Sequence, residues 1–239
     1  EFTIVAQYFF DSSSNQIGTA FLLHGYFDHT GIYGHLIEHC LSQGYGVVIF
    51  DLPGHGLSSG EPASIESFLY YVHAFAAVVE EAKKQELPQP WITLGQSTGA
   101  SVLIDSFLSE SRIASTVFRK IILLGPLIRP YLWNRGRILF TFSRMLFKSI
   151  PRKFSKNSHD PDFLQFICHR DPLQSEKLPR SWVLAMIDFQ KRFAAAATSG
   201  LELNIIQGDE DKTVDWKFNL QQLQIKFPNS NSKIVRGAR

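Results

Sequence analysis

The sequence predicts an α/β protein built on a mostly parallel central sheet that is flanked by helices. Short apolar and β-branched runs alternate with segments whose apolar residues recur at helical spacing, which is typical of repeated strand–helix units. Gly, Pro, Ser and Asn cluster between these segments and indicate turns. The chain has 239 residues, of which 44% are hydrophobic and 19% charged, so one globular domain with an insertion is expected.

The first half of the chain contains five predicted strands and three predicted helices. Ser64 and Ser67 both precede the second helix and are plausible N-caps, while Gly44 is expected to end the first. The predicted strands cover residues 2–10, 18–25, 45–50, 91–95 and 119–126, and the predicted helices cover residues 32–44, 64–85 and 97–111.

The strand–helix alternation stops at about residue 127 and resumes at about residue 201. The intervening segment is basic and aromatic by turns, contains five prolines, and shows helical pieces but no convincing buried strand. After it come a predicted strand (201–211), a helix (216–227) and a last strand (232–237). We therefore divide the chain into a first part of the core (1–126), a helical cap insertion (127–200) and a second part of the core (201–239).

Several classes of protein are excluded or disfavoured by the sequence. No apolar run reaches the roughly 18 residues that span a bilayer, and no signal-peptide pattern opens the chain. Cys40 and Cys168 are far apart and outside any metal-ligand spacing, so two reduced thiols are expected and a cytoplasmic location is favoured, with one disulfide as the alternative. No phosphate loop, dinucleotide fingerprint or nucleic-acid recognition motif is present, so we expect no cofactor, no metal and no nucleic-acid partner.

The stretch Gly95-Gln96-Ser97-Thr98-Gly99 lies between a predicted strand and a predicted helix, which is the context of a nucleophile turn. The glycines on either side of Ser97 remove side chains that would collide in so tight a turn. The helix that follows directs backbone N–H groups towards a developing negative charge. We therefore interpret Ser97 as a nucleophile, with an ordinary turn serine as the alternative.

A nucleophile of this kind needs two backbone N–H groups to bind the oxyanion. One is expected from Thr98, directly after the serine. The other is expected from Tyr26, in the loop that follows the strand ending at His24-Gly25. The His24 side chain itself is interpreted as a packing and hydrogen-bonding residue.

Four motifs occur in order along the chain: LLHGYFDHTGIYGHL, DLPGHGLSSG, GQSTGAS and GDEDKTVD. Together they resemble the α/β-hydrolase family and, within it, the branch of monoacylglycerol lipases and lysophospholipases. The resemblance covers the core of nearly the whole chain, while residues 127–200 match only as a variable cap. It implies a serine hydrolase without a cofactor whose substrate is a monoacylglycerol or lysophospholipid ester, and a structural role for the loop around His55.

The catalytic acid of this fold precedes the catalytic histidine in the chain and follows a strand. The resemblance favours Asp211, three residues after Gly208, and leaves Asp209 and Asp215 as alternatives. None of the eight histidines follows Asp211. By resemblance the histidine is expected directly after Arg239; the alternatives are that His159 or His169 substitutes for it, or that the protein binds a ligand without catalysis. The sequence, which begins with Glu1, is expected to be a fragment or a processed form.

Residues 128–156 contain eight Lys and Arg residues and no acidic residue, interleaved with apolar residues at roughly helical spacing. The apolar side of this segment is a candidate lining for an acyl chain, and its basic side a candidate contact with an anionic membrane. A cap helix packed on its own domain with a solvated basic face is the alternative. A small-ester esterase or a peptidase on the same fold is the rival enzymatic interpretation.

Overall fold

The computed structural model describes residues 1–12, 15–108, 117–133, 148–152, 154 and 158–239. In the described part, seven strands form one sheet in the order β1-β3-β2-β4-β5-β8-β9, and a second sheet contains only β6 and β7. The strands are β1 (Ala6–Phe9), β2 (Gly18–Leu23), β3 (Tyr45–Phe50), β4 (Trp91–Gln96), β5 (Phe118–Leu124), β6 (Ser149–Pro151), β7 (Lys177–Pro179), β8 (Asn204–Gly208) and β9 (Asn231–Val235). The helices are α1 (Gly34–Ser42), α2 (Phe68–Lys84), α3 (Thr98–Leu108), α4 (Pro161–His169), α5 (Arg180–Ala195) and α6 (Trp216–Lys226).

The large sheet is parallel except at one edge, where β1 pairs antiparallel with β3. The predicted mostly parallel α/β fold is therefore confirmed. Because the carboxyl ends of parallel strands meet at one edge of a sheet, the loops after β2, β4, β5, β8 and β9 all leave the sheet on the same side. That side carries the predicted nucleophile, acid and oxyanion loop.

Alternate residues of the central strands pack into two separate cores, one on each face of the sheet. On one face, Leu22 and Ile49 pack with Ile37 of α1. On the other face, Phe21 and Phe50 join a larger core that includes α2, α3 and α5. This two-sided burial explains why the predicted strands read as nearly continuous apolar runs.

Most predicted elements begin and end within a few residues of the observed ones, but two differ. The first strand is only four residues long, because the chain before Ala6 instead bonds to the turn after β3, where the N–H of Val5 donates to Ser58 Oγ. Ser67, not Ser64, caps α2, since its hydroxyl accepts from the Leu69 N–H. The predicted end of the third helix, residues 109–111, lies outside the described residues.

The insertion contains helices α4 and α5 and also the short antiparallel ribbon β6–β7, which the sequence did not indicate. Helix α5 contributes both to the main core and to the cap. Its Phe189 packs on Phe68 of α2 with ring centroids 5.2 Å apart, inside the main core, while Trp182 at its start lines a cavity above the sheet.

Most of the basic segment predicted to contact acyl chains or membranes, including Ile138, Leu139, Phe142, Met145 and Leu146, lies outside the described residues. Among the described helices, none combines the length and apolar character needed to cross a bilayer. Cys40 and Cys168 are both free thiols.

Candidate active site

Ser97 occupies the tip of a tight turn between β4 and α3. Its φ is +49°, in the left-handed region that side chains other than glycine rarely adopt. The turn is fixed from both directions, because the Ser97 N–H donates to the Leu124 carbonyl at 2.9 Å and the Ser97 carbonyl accepts from the Leu127 N–H at 3.3 Å. A strained and fixed backbone at a strand–helix junction is the geometry of a nucleophile turn.

The two flanking glycines are required by close backbone contacts. A Cβ atom on Gly95 would lie 2.7 Å from the Ala100 nitrogen, and a Cβ on Gly99 would lie 2.2 Å from the Leu23 carbonyl oxygen. The second contact is informative for the site, since it packs the start of α3 directly against the end of β2. The turn that carries Ser97 therefore lies beside the predicted oxyanion loop.

Asp211 follows β8 and has a defined orientation. Its Oδ1 accepts from the backbone N–H groups of Thr213 (2.7 Å) and Val214 (3.1 Å), and its Oδ2 accepts from Gln207 Nε2 (3.2 Å). The Oδ2 atom lies over Gly125 at the end of β5, where a Cβ would be 3.6 Å away. Because β5 separates β4 from β8, Asp211 reaches across one strand towards Ser97.

The two alternative acids are engaged elsewhere. Asp209 accepts from the Gly237 N–H at 2.7 Å, and Asp215 forms an ion pair with Arg129 at 2.5 Å. Neither lines the cavity that Ser97 and Asp211 share, whose volume is about 270 Å³. The geometry therefore favours Asp211 among the three.

The same cavity is bordered by Ala238 and Arg239, which follow β9. A close contact fixes this arrangement, because the Ala238 carbonyl accepts from the Glu210 N–H at 2.9 Å and lies where a Cβ on Gly208 would be only 2.4 Å away. The turn after β9 is thus packed against the turn that carries Asp211.

The predicted oxyanion donors lie on either side of the serine turn. Tyr26 borders the cavity, and Thr98 is the first residue of α3. Neither backbone N–H has an acceptor in the part of the chain that the structure describes. Both groups are therefore free to bind a substrate oxygen, and their role as an oxyanion hole stays a prediction.

A buried polar network that the sequence did not indicate holds the loop after β2. The Tyr33 hydroxyl accepts from the Gly25 N–H at 2.9 Å and lies within hydrogen-bond distance of Gln96 Oε1 (2.8 Å) and Asp28 Oδ2 (3.1 Å). It thereby connects the loop to the residue directly before Ser97. Burial raises the pKa of Asp28 to about 6, although hydrogen bonds from Tyr33 and Gly25 and the nearby charge of Arg152 act in the opposite direction.

The same loop contacts the cap through three side-chain pairs, which we call the loop–cap contacts. The ring of Tyr26 stacks on Trp182, with centroids 3.9 Å apart, and the guanidinium of Arg152 lies 4.0 Å from the centre of the Phe27 ring. His29 Nε2 lies 2.8 Å from Asp171 Oδ2. The cap and the candidate oxyanion loop are thus one packed unit.

The histidines nearest this site are unsuited to act as its base. His24 is buried, its Nδ1 bonds to the Gly25 carbonyl, its Nε2 accepts from the Leu52 N–H, and burial lowers its pKa to about 4. Burial likewise lowers the pKa of His55 to about 3. The candidate substitutes His159 and His169 are exposed, and no histidine in the described chain lines the cavity of Ser97.

A second cavity, of about 430 Å³, also opens at Ser97 and is lined mainly by apolar side chains. They come from the loop after β5 and from the cap: Leu127, Tyr131, Leu132, Trp133, Ile150, Leu178, Trp182 and Val183. Ser97, Tyr26 and Arg152 border both cavities. A reacting group at Ser97 can therefore extend one part into a cavity of mixed polarity and another into a mainly apolar one.

A serine on a strained strand–helix turn, an acid after a later strand of the same sheet and a cap over the serine together define an α/β-hydrolase. The comparison with protein families agrees, because residues 14–233 match the family described as "Serine aminopeptidase, S33" (Hydrolase_4). The chain belongs to this family.

The similarity to monoacylglycerol lipases is also confirmed. The chain is 26% identical over 204 residues to the monoacylglycerol lipase of Mycolicibacterium smegmatis, covering 82% of this chain and 71% of the relative. It is 37% identical over 84 residues to phospholipase YtpA of Bacillus subtilis, covering 35% of this chain and 32% of that protein. A soluble variant of monoglyceride lipase from Saccharomyces cerevisiae, solved with a substrate analog, has the same fold (TM-score 0.79, 18% identity, 100% of this chain and 83% of that one).

Proposed function

We propose that the protein is a serine hydrolase that cleaves the carboxylic ester of a single-chain lipid, a monoacylglycerol or a lysophospholipid, through an acyl-enzyme. The observation that carries the proposal is the position of Ser97, which borders both the more polar cavity of Asp211 and the mainly apolar cavity beneath the cap. An ester bond at Ser97 would separate an acyl chain in the apolar space from an alcohol in the polar one.

In the proposed reaction, Ser97 Oγ attacks the ester carbonyl while a histidine accepts its proton. The negative charge that develops on the carbonyl oxygen is bound by the N–H groups of Tyr26 and Thr98. When the tetrahedral intermediate collapses, the bond to the alcohol breaks and the histidine returns the proton to the leaving oxygen. Water then attacks the acyl-enzyme by the same steps and releases the fatty acid.

The base is proposed to be a histidine directly after Arg239, oriented by Asp211. Support comes from the turn after β9, whose Ala238 and Arg239 already border the cavity of Ser97 and Asp211. Without this base the Ser97 hydroxyl is a weak nucleophile at neutral pH. Residues 1–239 alone are therefore expected to retain only the catalysis of an oxyanion hole and substrate binding, on the order of 10³–10⁴-fold over water.

The decisive experiment labels the protein with a fluorophosphonate probe. A chain that continues past Arg239 should be labelled at Ser97, and its Ser97→Ala variant should not. The chain of residues 1–239 should be labelled far more slowly. If the longer chain leaves Ser97 unmodified, the protein is a ligand-binding relative and not a serine hydrolase.

The rival function is peptide hydrolysis, which the printed description of the family makes worth testing. The apolar lining of the cap cavity favours an acyl chain over a peptide. Rates for p-nitrophenyl esters of increasing acyl length should rise towards medium or long chains and exceed the rate for an aminoacyl p-nitroanilide. A preference for the amide, or for acetate over longer acyl groups, would overturn the lipid assignment.

Contact with an anionic membrane surface is proposed for the mouth of the apolar cavity. Tyr131, Leu132 and Ile150 line this cavity and are each about half exposed, at 50%, 52% and 47%. They lie within the basic segment 128–156, so apolar insertion and electrostatic attraction would act together. Flotation with anionic and neutral vesicles tests the idea; equally weak binding to both vesicles contradicts it.

A further inference from the structure

Arg152 is the only arginine that lines both cavities at Ser97 in the part of the chain that the structure describes. It follows β6 directly and is fixed to the cap ribbon, because its N–H donates to the Glu176 carbonyl at 2.7 Å. Its position at the junction of a polar and an apolar space is where the glycerol part of a bound lipid ester would lie.

Two aromatic rings and the hydrogen bonds of one guanidinium nitrogen hold the Arg152 side chain in place. The guanidinium lies 4.0 Å from the centre of the Phe27 ring and 4.2 Å from that of Phe154. Its Nη1 donates to Gln174 Oε1 and to the Ser175 carbonyl. Nε and Nη2 have no acceptor among the described residues, so within that part of the chain one edge of the planar group, with two parallel donors, is open to a ligand.

The charge of Arg152 also lacks a partner at contact distance. No described carboxylate lies within 4.0 Å of its guanidinium. Asp28 and Asp171 are near enough to act on it electrostatically, but Asp28 faces the hydroxyl of Tyr33 and Asp171 bonds to His29. Because a partly buried cation without a contacting anion is costly, a ligand that brings a negative charge to this edge gains both attraction and two hydrogen bonds.

We propose that Arg152 is a specificity-determining residue that binds a phosphate oxygen of the substrate's head group, so that the preferred substrate is a single-chain phospholipid ester. The proposal rests on the proposed ester hydrolysis at Ser97 and deepens it. Phosphate suits this site because its oxygens match the paired Nε–Nη2 edge, a match that a neutral glycerol cannot reproduce.

The test compares three substrates with the same acyl chain: monoacylglycerol, lysophosphatidate and lysophosphatidylcholine. The last two separate a phosphate monoester from a diester. In the chain that continues past Arg239, Arg152→Gln should lower kcat/KM for the two phosphate-bearing substrates by about 10–100-fold, because the variant loses a charge-assisted pair of hydrogen bonds. Hydrolysis of monoacylglycerol should change less than about 3-fold, and Arg152→Lys should retain part of the preference because it keeps the charge without the fork.

Arg119→Gln, an exposed arginine on β5 away from both cavities, is the matched control and should leave all three rates unchanged. A measurement on the unmodified protein avoids any folding defect of the variants. Dodecyl phosphate should inhibit hydrolysis of a p-nitrophenyl ester at least tenfold more strongly than dodecanol does.

Equal inhibition by dodecyl phosphate and dodecanol overturns the proposal, as does an equal fall of all three rates in Arg152→Gln. That equal fall would mean that Arg152 only supports the Phe27 loop. Failure of the proposed function itself is recognised separately, since Ser97 would then resist the fluorophosphonate probe and none of the three lipids would be hydrolysed.

Discussion

His29 Nε2 donates a hydrogen bond to Asp171 Oδ2 across 2.8 Å, joining the loop after β2 to the cap. The direction of the bond follows from the other ring nitrogen, because His29 Nδ1 accepts from the Gly31 N–H at 3.2 Å. Both side chains are nearly inaccessible, with exposed fractions of 7% and 1%. The pair is therefore a buried contact between the core of the fold, which carries Ser97, and the cap above it.

Asp171→Ala should lower the free energy of unfolding by about 1–3 kcal/mol, because the buried His29 N–H loses its acceptor. Burial alone would raise the pKa of Asp171, but hydrogen bonds from His29, the Leu173 N–H and Gln174 bring it below its ordinary value. The contribution of Asp171 is therefore present above its unfolded pKa near 4 and is lost as the pH falls through the folded one. Urea unfolding at pH 7 and at pH 3–4 measures this, with the exposed Glu176→Ala as control. An equal effect of both substitutions would contradict it.

Asparagine substitutions at Asp211, Asp209 and Asp215 should separate the catalytic acid from its neighbours. Asp211→Asn should lower kcat by about 10⁴-fold in the chain that continues past Arg239, because the base loses its orienting carboxylate. Asp209→Asn and Asp215→Asn should keep kcat within about tenfold, since those carboxylates bond to Gly237 and Arg129 instead. A larger loss at either neighbour would move the assignment there, and melting temperatures of the three variants control for unfolding.

Gly99→Ala should destabilise the fold by about 3 kcal/mol or more, because its Cβ would overlap the Leu23 carbonyl and push β2 away from α3. Gly34→Ala is the matched control, since a Cβ there meets nothing within 4 Å and alanine favours a helix. Its effect should be neutral or stabilising by up to about 1 kcal/mol. Similar losses in the two variants, measured by thermal and urea unfolding, would show that the close contact is not the cause.

Asp28→Asn should make stability less dependent on pH between about pH 4 and 7. Burial raises the pKa of Asp28 from 3.8 to about 6, so its favourable contribution is complete below pH 3.8 and is lost as the pH rises through about 6. Relative to the unmodified protein, the variant should therefore gain stability with rising pH, by about 1–3 kcal/mol. Urea unfolding at pH 4.5, 5.5 and 7 tests this, with the exposed Asp162→Asn as control. A constant difference across this range would contradict it.

The core of the fold could be predicted because its signals are local. Runs such as residues 18–23 and 45–50 are almost entirely apolar, as expected of strands covered on both faces. The ribbon β6–β7 could not be found in this way, since its strands are three residues long and only one of their residues is buried. The sequence predicts helical pieces in the cap, where α5 lies, but the packing of Phe189 on Phe68 is a tertiary contact that no local pattern indicates.

The residues of the candidate site could likewise be predicted only in part. Ser97 and Asp211 follow strands within recognisable motifs, and the parallel sheet brings them to one cavity. Asp28 and Arg152 border that cavity too, yet nothing in their spacing indicated it. The position of Asp28 depends on its contact with the Tyr33 hydroxyl. The position of Arg152 depends on the path of the cap, which brings it to Phe27, more than 100 positions away in the chain.

The loop–cap contacts have a consequence for protein engineering. A chimera that exchanges residues 127–200 for the cap of a relative, in order to alter substrate choice, also removes the partners of Tyr26, Phe27 and His29. Such a graft would have to transfer the loop after β2 together with the cap, as a single cassette. Directed evolution of this scaffold should accordingly begin from libraries that vary both segments at once.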